Sequence, residues 1–183
     1  KIGSDYPVLS AWMQSRGSVD IIMGPRGSGK TFGATQRCLM HAVEQEANDR
    51  GIRPTKTLIT RDSYSELLNT TIPDFMSVMG EVVDFKQGSS GTPTARTKPG
   101  FTVDGAIIDA EYVFQSSGVQ DSPERAKGFQ LTAAWFNEFS GTDPTFFQRV
   151  REALGRYPSP AAGGVRCAWR GAFCDTNAFD ESH

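Results

Sequence analysis

Short apolar runs alternate along this chain with stretches whose apolar residues recur at helical spacing, and turn formers separate them. Residues 1–18 mix Tyr6, Pro7, Leu9 and Trp12 with turn formers, which predicts a short helix or arm; packing against the core is the preferred role for its aromatics, and stacking on adenine the other. Val19 to Met23 reads as an apolar strand, central in a parallel sheet. From Lys30 to about Asn48, Phe32, Thr35, Leu39, Ala42 and Val43 recur as one helical face. Gly51-Ile52-Arg53-Pro54 ends that helix, and Thr57 to Thr60 forms the next strand. Ser63 and Glu66 have the spacing of a capping box, so a helix follows until Pro73 interrupts it. Residues 86–100 are loop by composition. Asp104-Gly105, between two β-rich runs, predicts a hairpin over 101–114. Ser122-Pro123-Glu124 opens a short helix that ends near Gly128. Leu131 to Glu138 is an apolar strand, Asp143-Pro144 starts another helix, and Gly155-Arg156-Tyr157-Pro158 stops it. Val165 to Cys174 reads as one or two strands leading into Asp175-Thr176-Asn177. The rhythm is that of an α/β fold with a mainly parallel central sheet flanked by helices, in one domain without internal repeats.

The chemistry concentrates where the first strand breaks. Gly24-Pro25-Arg26-Gly27-Ser28-Gly29-Lys30-Thr31 fits G-x-x-x-x-G-K-[ST] at every fixed position, with a strand before it and a helix after. Glycines let the backbone curl around phosphate oxygens, and the helix start adds the positive end of its dipole. Lys30 is expected to reach the β- and γ-phosphates of ATP, and the Thr31 hydroxyl to ligate Mg²⁺. The strand ending in Asn137-Glu138 delivers two polar residues to the carboxyl edge of the sheet, where α/β folds bind ligands. Glu138 is the candidate for orienting the attacking water. Asn137 stands where an acid normally holds a magnesium-bound water, and its amide oxygen can accept the same hydrogen bond without the charge. Arg26, inside the loop, is a candidate for stabilising charge in cis; a solvent-exposed side chain is an equal reading. Arg149, Arg151 and Arg156 are candidates for a finger reaching a neighbouring subunit, with Arg156 preferred because it lies in a turn.

Composition changes this picture little. The chain has 183 residues, 38% of them hydrophobic, enough for one domain with a real core. A formal charge of −2 gives no overall basic signature, so any nucleic-acid contact rests on a local patch or on assembled copies. Lys86, Arg96 and Lys98 make the 86–100 stretch locally basic: a phosphate-backbone contact and a solvated surface loop both fit. Cys38, Cys167 and Cys174 lack C-x-x-C spacing and read as reduced thiols in a cytosolic compartment rather than as disulfides or a zinc site. His41 reads as packing or surface. No run approaches membrane-span length.

Taken together, the P-loop, Arg61-Asp62-Ser63-Tyr64-Ser65-Glu66-Leu67 with Thr70-Thr71-Ile72-Pro73, the Asp104-Gly105 hairpin, Ala133 to Glu138, Gly155 to Pro158 and Asp175 to Asn177 resemble the ATPase domain of the large terminase subunit of tailed bacteriophages. The resemblance implies a P-loop NTPase with an added strand carrying the catalytic glutamate and a β-hairpin insertion. It also implies ATP hydrolysis coupled to packaging of double-stranded DNA into procapsids, in the host bacterial cytoplasm. The implied partners are the portal protein, the small terminase subunit and further copies in a pentameric ring. On that resemblance Arg26 is similar to the P-loop arginine, Glu138 to the catalytic glutamate, and Thr176 and Asn177 to the coupling motif. The family's nuclease domain is expected to lie outside residues 1–183, which begin at Lys1 as a fragment does, so no DNA cleavage is expected. Two other readings of the P-loop remain: a small-molecule kinase, and a nucleotide-gated assembly module with little turnover.

Overall fold

The computed structural model describes residues 6–87, 91–118, 128–160 and 165–178. Its elements are α1 (Pro7–Gln14), β1 (Val19–Gly24), α2 (Lys30–Glu44), β2 (Ile52–Arg61), α3 (Tyr64–Glu66), a π-turn (Leu67–Thr71), α4 (Ile72–Met79), β3 (Val83–Lys86), β4 (Thr94–Thr97), β5 (Thr102–Val103), β6 (Ala106–Ser116), β7 (Ala133–Asn137), a 3-10 turn (Phe139–Gly141), α5 (Pro144–Ala153) and β8 (Gly171–Asn177).

One sheet runs β1-β8-β7-β2-β6-β4-β3, with β5 paired on β6. The strands from β1 to β6 in that order are mutually parallel, whereas β4, β3 and β5 add antiparallel pairings. Because successive side chains leave a strand on opposite faces, both faces need cover. On one face Ile59, Trp135 and Phe173 pack with α1, α2 and α4 through Trp12, Ala34, Cys38 and Phe75. On the other, Leu58, Phe136, Ala172 and Cys174 meet Phe146, Val150 and Ala153 of α5. Cys38, Cys167 and Cys174 are free thiols. No helix among the described residues is long and apolar enough to cross a membrane.

Several sequence expectations are corrected. β1 is the edge of the described sheet rather than its centre: Ile21 and Met23 are 52% and 55% exposed, and Asp20 turns inward to Arg37. An apolar run identifies a strand without saying whether both its edges are paired. α2 stops at Glu44, four residues before Asn48. β2 starts at Ile52 and carries Pro54 within it. This is tolerated because β7 joins β2 only from Thr57 onward, so Pro54 lacks a neighbour on one side and its missing N–H breaks no bond there. Pro73 does not end the helix after Ser63; the chain widens into the π-turn and resumes as α4 with proline in its first turn, where no N–H is needed. The stretch 86–100 contains β4, whose Arg96 forms a two-pronged pair with Asp109 at 2.8 Å on each arm. The last strand begins at Gly171 rather than Val165. The helix expected from Ser122 lies outside the described residues.

Other expectations hold. Ser63 Oγ accepts from the Glu66 N–H at 3.2 Å, Asp143 caps α5 through the Phe146 N–H at 2.8 Å, and Asp104 and Gly105 both take positive φ in the turn that pairs β5 with β6.

A buried polar knot ties α1, α2, β1 and β8 together. The Arg37 guanidinium lies 4.9 Å from the ring centres of Trp12 and Phe173 and pairs with Asp20. Arg37 Nε donates to His41 Nε2 at 3.1 Å, so the His41 proton sits on Nδ1, and the ring stacks on Trp169 at 3.8 Å. Burial, reinforced by the charge of Arg37, drives the His41 pKa down to about 2. The unfolded chain takes up this proton near pH 6.5 and the folded chain does not, so stability falls as pH drops below that value. The expected loss is about 2 kcal/mol between pH 6.5 and 5. His41→Gln, which keeps an acceptor for Arg37, should flatten that slope in urea titrations; an unchanged slope would assign the acid sensitivity elsewhere.

Candidate nucleotide-binding site

The carboxyl ends of β1, β8 and β7 lie side by side, since Gly24 pairs in register with Asn177 and Asn137 with Asp175. The chain leaves β1 through a loop in which Gly27 and Gly29 take φ of 75° and 77°, a left-handed backbone that side-chain-bearing residues rarely adopt. Gly29 is the N-cap of α2, so the loop delivers the helix start to the cleft. Lys30 folds back across the loop: its Nζ donates to Gly24 O at 2.8 Å, Pro25 O at 2.7 Å, Ser28 Oγ at 3.3 Å and Asn177 Oδ1 at 3.3 Å.

Asn177 then carries the contact across the sheet. Its Nδ2 donates to both carboxylate oxygens of Glu138, at 2.8 and 3.0 Å. Glu138 itself has φ 56° and ψ 56°, a left-handed conformation that costs about 1–3 kcal/mol for a non-glycine residue and recurs at ligand sites. Here it turns the chain out of β7 so that the carboxylate faces the loop. Lys30, Asn177 and Glu138 thus form a continuous polar bridge between the glycine-rich loop and the end of β7, with β8 interposed. Arg26, Gly27, Ser28, Gly29, Lys30, Thr31, Phe32, Asp74, Glu138, Asp175 and Asn177 line a cleft of ≈ 350 Å³. A larger depression of ≈ 540 Å³ lies against β3, β4 and β6, far from the loop. There Asp84, Asp109 and Glu111 balance Lys86, Arg96 and Lys98, so the basic stretch seen in sequence has no excess of positive charge.

Beneath the cleft lies a network that sequence reasoning missed. Asn137 is buried, and its Oδ1 accepts from Arg61 Nη1 and Thr71 Oγ1, both at 2.8 Å. The π-turn carries Thr71 to this contact, a use typical of such turns. Asn137 Nδ2 donates to Asp175 Oδ2 at 3.0 Å, and Trp135 Nε1 donates to Asp175 Oδ1 at 2.6 Å. Burial pushes the Asp175 carboxyl up to about 6, opposed by those two donors. The sequence signal for Asp175 was its place at the end of an apolar strand; its pairing with Asn137 depends on which strands are neighbours, which no local pattern states.

The remaining candidates fall in different places. Arg26 is exposed at the rim of the cleft, and Thr31 lines it. Thr176 points to the α5 side of the sheet, and its buried Oγ1 has no hydrogen-bond partner among the described residues. Arg156 is exposed in the turn after α5, where Gly155 N donates to Leu131 O ahead of β7, so it sits toward the amino-terminal end of the parallel strands, the opposite end from Lys30. Arg149 pairs with Glu152 at 3.2 Å and Arg151 lies over Phe147. For a metal, the Thr31 hydroxyl and the Asp175 carboxylate, both in the cleft lining, offer hard oxygen donors of the kind that Mg²⁺ takes.

A glycine-rich loop between a strand and a helix, facing a strand-end acid in a parallel sheet, defines a P-loop nucleotide-binding domain. The chain belongs to the terminase large subunit family of the T4likevirus type, whose N-terminal region matches residues 21–154. Among solved structures it is similar to the large terminase of a thermophilic bacteriophage, with a TM-score of 0.62 and 13% identity over 93% of this chain and 37% of that one. The same thermophilic phage protein in complex with ADP matches with a TM-score of 0.59 at 13% identity, covering 96% of this chain and 36% of that one. The large terminase ATPase domain of Thermus phage P74-26 matches with a TM-score of 0.52 at 15% identity, covering 92% of this chain and 63% of that one. The chain therefore spans 37% of the first of these relatives. No curated protein matches it by sequence.

Proposed function

We propose that this domain hydrolyses ATP in a Mg²⁺-dependent reaction and that the hydrolysis drives double-stranded viral DNA into a procapsid. The observation that carries the reading is the bridge from Lys30 through Asn177 to Glu138, which joins the phosphate-binding loop to a carboxylate able to orient water. The ADP complex of the thermophilic phage's large terminase and the ATPase domain of the P74-26 protein support the choice of nucleotide and of reaction. In the proposed site Gly24 to Thr31 wrap the phosphates, Lys30 leaves its loop carbonyls for the β- and γ-phosphates, and the Thr31 hydroxyl would hold Mg²⁺, which neutralises phosphate charge. Glu138 orients the attacking water. Asn177 changes partners when Lys30 moves, so it reports nucleotide state to β8, and Thr176 continues that coupling on the α5 side. Arg26 reaches the phosphates from the rim.

Arg156, toward the amino-terminal end of the strands and away from the loop, acts only on a neighbouring copy's nucleotide, consistent with a ring assembled on the portal protein together with the small terminase subunit. The P-loop domain is proposed to span residues 1–183 and to act in the host cytoplasm, docked transiently on the procapsid. Phosphate release with and without double-stranded DNA tests the reading. Turnover in the absence of a small-molecule acceptor, increased by DNA, is expected. Acceptor-dependent transfer would indicate a kinase, and binding without turnover would indicate an assembly module.

A further inference from the structure

The residue before Glu138 is an amide, yet the cleft does not lack a second acid. Asp175 lines it from β8, the strand interposed between the loop strand and β7. Asn137 and Asp175 are register partners on the same face of adjacent parallel strands, and their side chains are joined by a hydrogen bond of 3.0 Å. We infer that the carboxylate and the amide have exchanged strands: Asp175 supplies the negative charge that faces the metal-bound nucleotide, and Asn137 is the residue that positions it. This rests on the nucleotide-hydrolysing reading above.

The hydrogen-bond inventory supports the exchange. Asn137 spends its oxygen on Arg61 and Thr71, so that atom is not free to accept from a metal-bound water. Its amide N–H₂ points instead at Asp175, whose other oxygen takes the Trp135 N–H. An aspartate at 137 with Asp175 unchanged would set two carboxylates against each other. The double exchange Asn137→Asp/Asp175→Asn would keep every bond: the carboxylate at 137 accepts from Arg61, Thr71 and the new amide at 175, and that amide's oxygen accepts from Trp135. A purely structural role for Asp175 would need the hydrogen bonds but no charge directed at the nucleotide.

The test measures the affinity of a fluorescent ADP analogue with Mg²⁺ and with EDTA, in parallel with thermal melting. Asp175→Asn is expected to lose at least about tenfold of the Mg²⁺-dependent gain in affinity, while its affinity in EDTA stays within about threefold of wild type. Asn137→Asp/Asp175→Asn is expected to melt near wild type yet to lack the Mg²⁺-dependent gain, because its carboxylate at 137 has its oxygens turned to Arg61, Thr71 and the new amide rather than to the cleft. It also provides the reading where Asp175→Asn melts too early to measure. A folded Asp175→Asn protein with the full Mg²⁺ gain, or a folded double variant with it, would overturn the inference. Failure of the wild-type protein to bind the analogue in either condition would instead remove the nucleotide-hydrolysing reading on which it rests.

Discussion

Lys30→Ala is expected to weaken nucleotide binding by about 10²–10⁴-fold and to abolish turnover. Hydrogen bonds to charged groups contribute about 1.5–3 kcal/mol each, and the ammonium is placed to meet two phosphates, so a loss of about 3–6 kcal/mol follows. Lys30 is 6% exposed and its ammonium is already held by two loop carbonyls, so it is pre-positioned and little ordering cost attends its transfer to phosphate oxygens. The loop conformation is set by Gly27 and Gly29 rather than by this lysine, and the variant should unfold cooperatively. Titration with a fluorescent nucleotide, alongside a melting curve, checks both statements. Near-normal affinity in a folded variant would take the loop out of the site.

Glu138→Gln separates binding from chemistry. The amide retains the size of the carboxylate and one acceptor for Asn177, but it can no longer draw a proton toward itself from water. A positioned base contributes about 10²–10⁴-fold, so kcat should fall by that factor with nucleotide affinity within a few-fold of wild type. The left-handed backbone at this residue is independent of the substitution, which keeps the comparison clean. Isothermal binding and single-turnover hydrolysis measured on the same preparation decide the matter. Retained turnover would mean that another group orients the water, and weakened binding with unchanged kcat would make Glu138 a ligand-holding residue instead.

The parts of this molecule that were legible in sequence are those with local causes. Gly24 to Thr31 announces its own turn, Asp104-Gly105 its hairpin, and Asp143-Pro144 its helix start, because each requires particular residues at fixed offsets. β4 escaped notice because its inward residues are Ala95 and Thr97, small or polar side chains that carry little hydrophobic signal although both are buried. Thr97 is satisfied there by donating to Ile108 O at 2.7 Å and accepting from the Ala110 N–H at 3.0 Å. The edge position of β1, the passage of β2 through Pro54 and the π-turn before Pro73 all depend on which strand or helix lies alongside. The same limit applied at the site. Lys30 and Glu138 could be named from their own surroundings, whereas Asp175, Arg61 and Thr71 converge on Asn137 only once β2, β7, β8 and the π-turn have been brought together.

If the loop lysine and the strand-end glutamate address the same γ-phosphate, a crystal structure with Mg²⁺ and a slowly hydrolysed ATP analogue shows it most directly. Lys30 Nζ is then expected within about 2.7–3.2 Å of a γ-phosphate oxygen, having left Gly24 O and Pro25 O. The Glu138 carboxylate is expected one water molecule away from the phosphorus, on the side opposite the β-phosphate. A nucleotide whose γ-phosphate lies beyond reach of either side chain, or a Glu138 that stays turned toward Asn177 with no water between it and the phosphate, would contradict this arrangement.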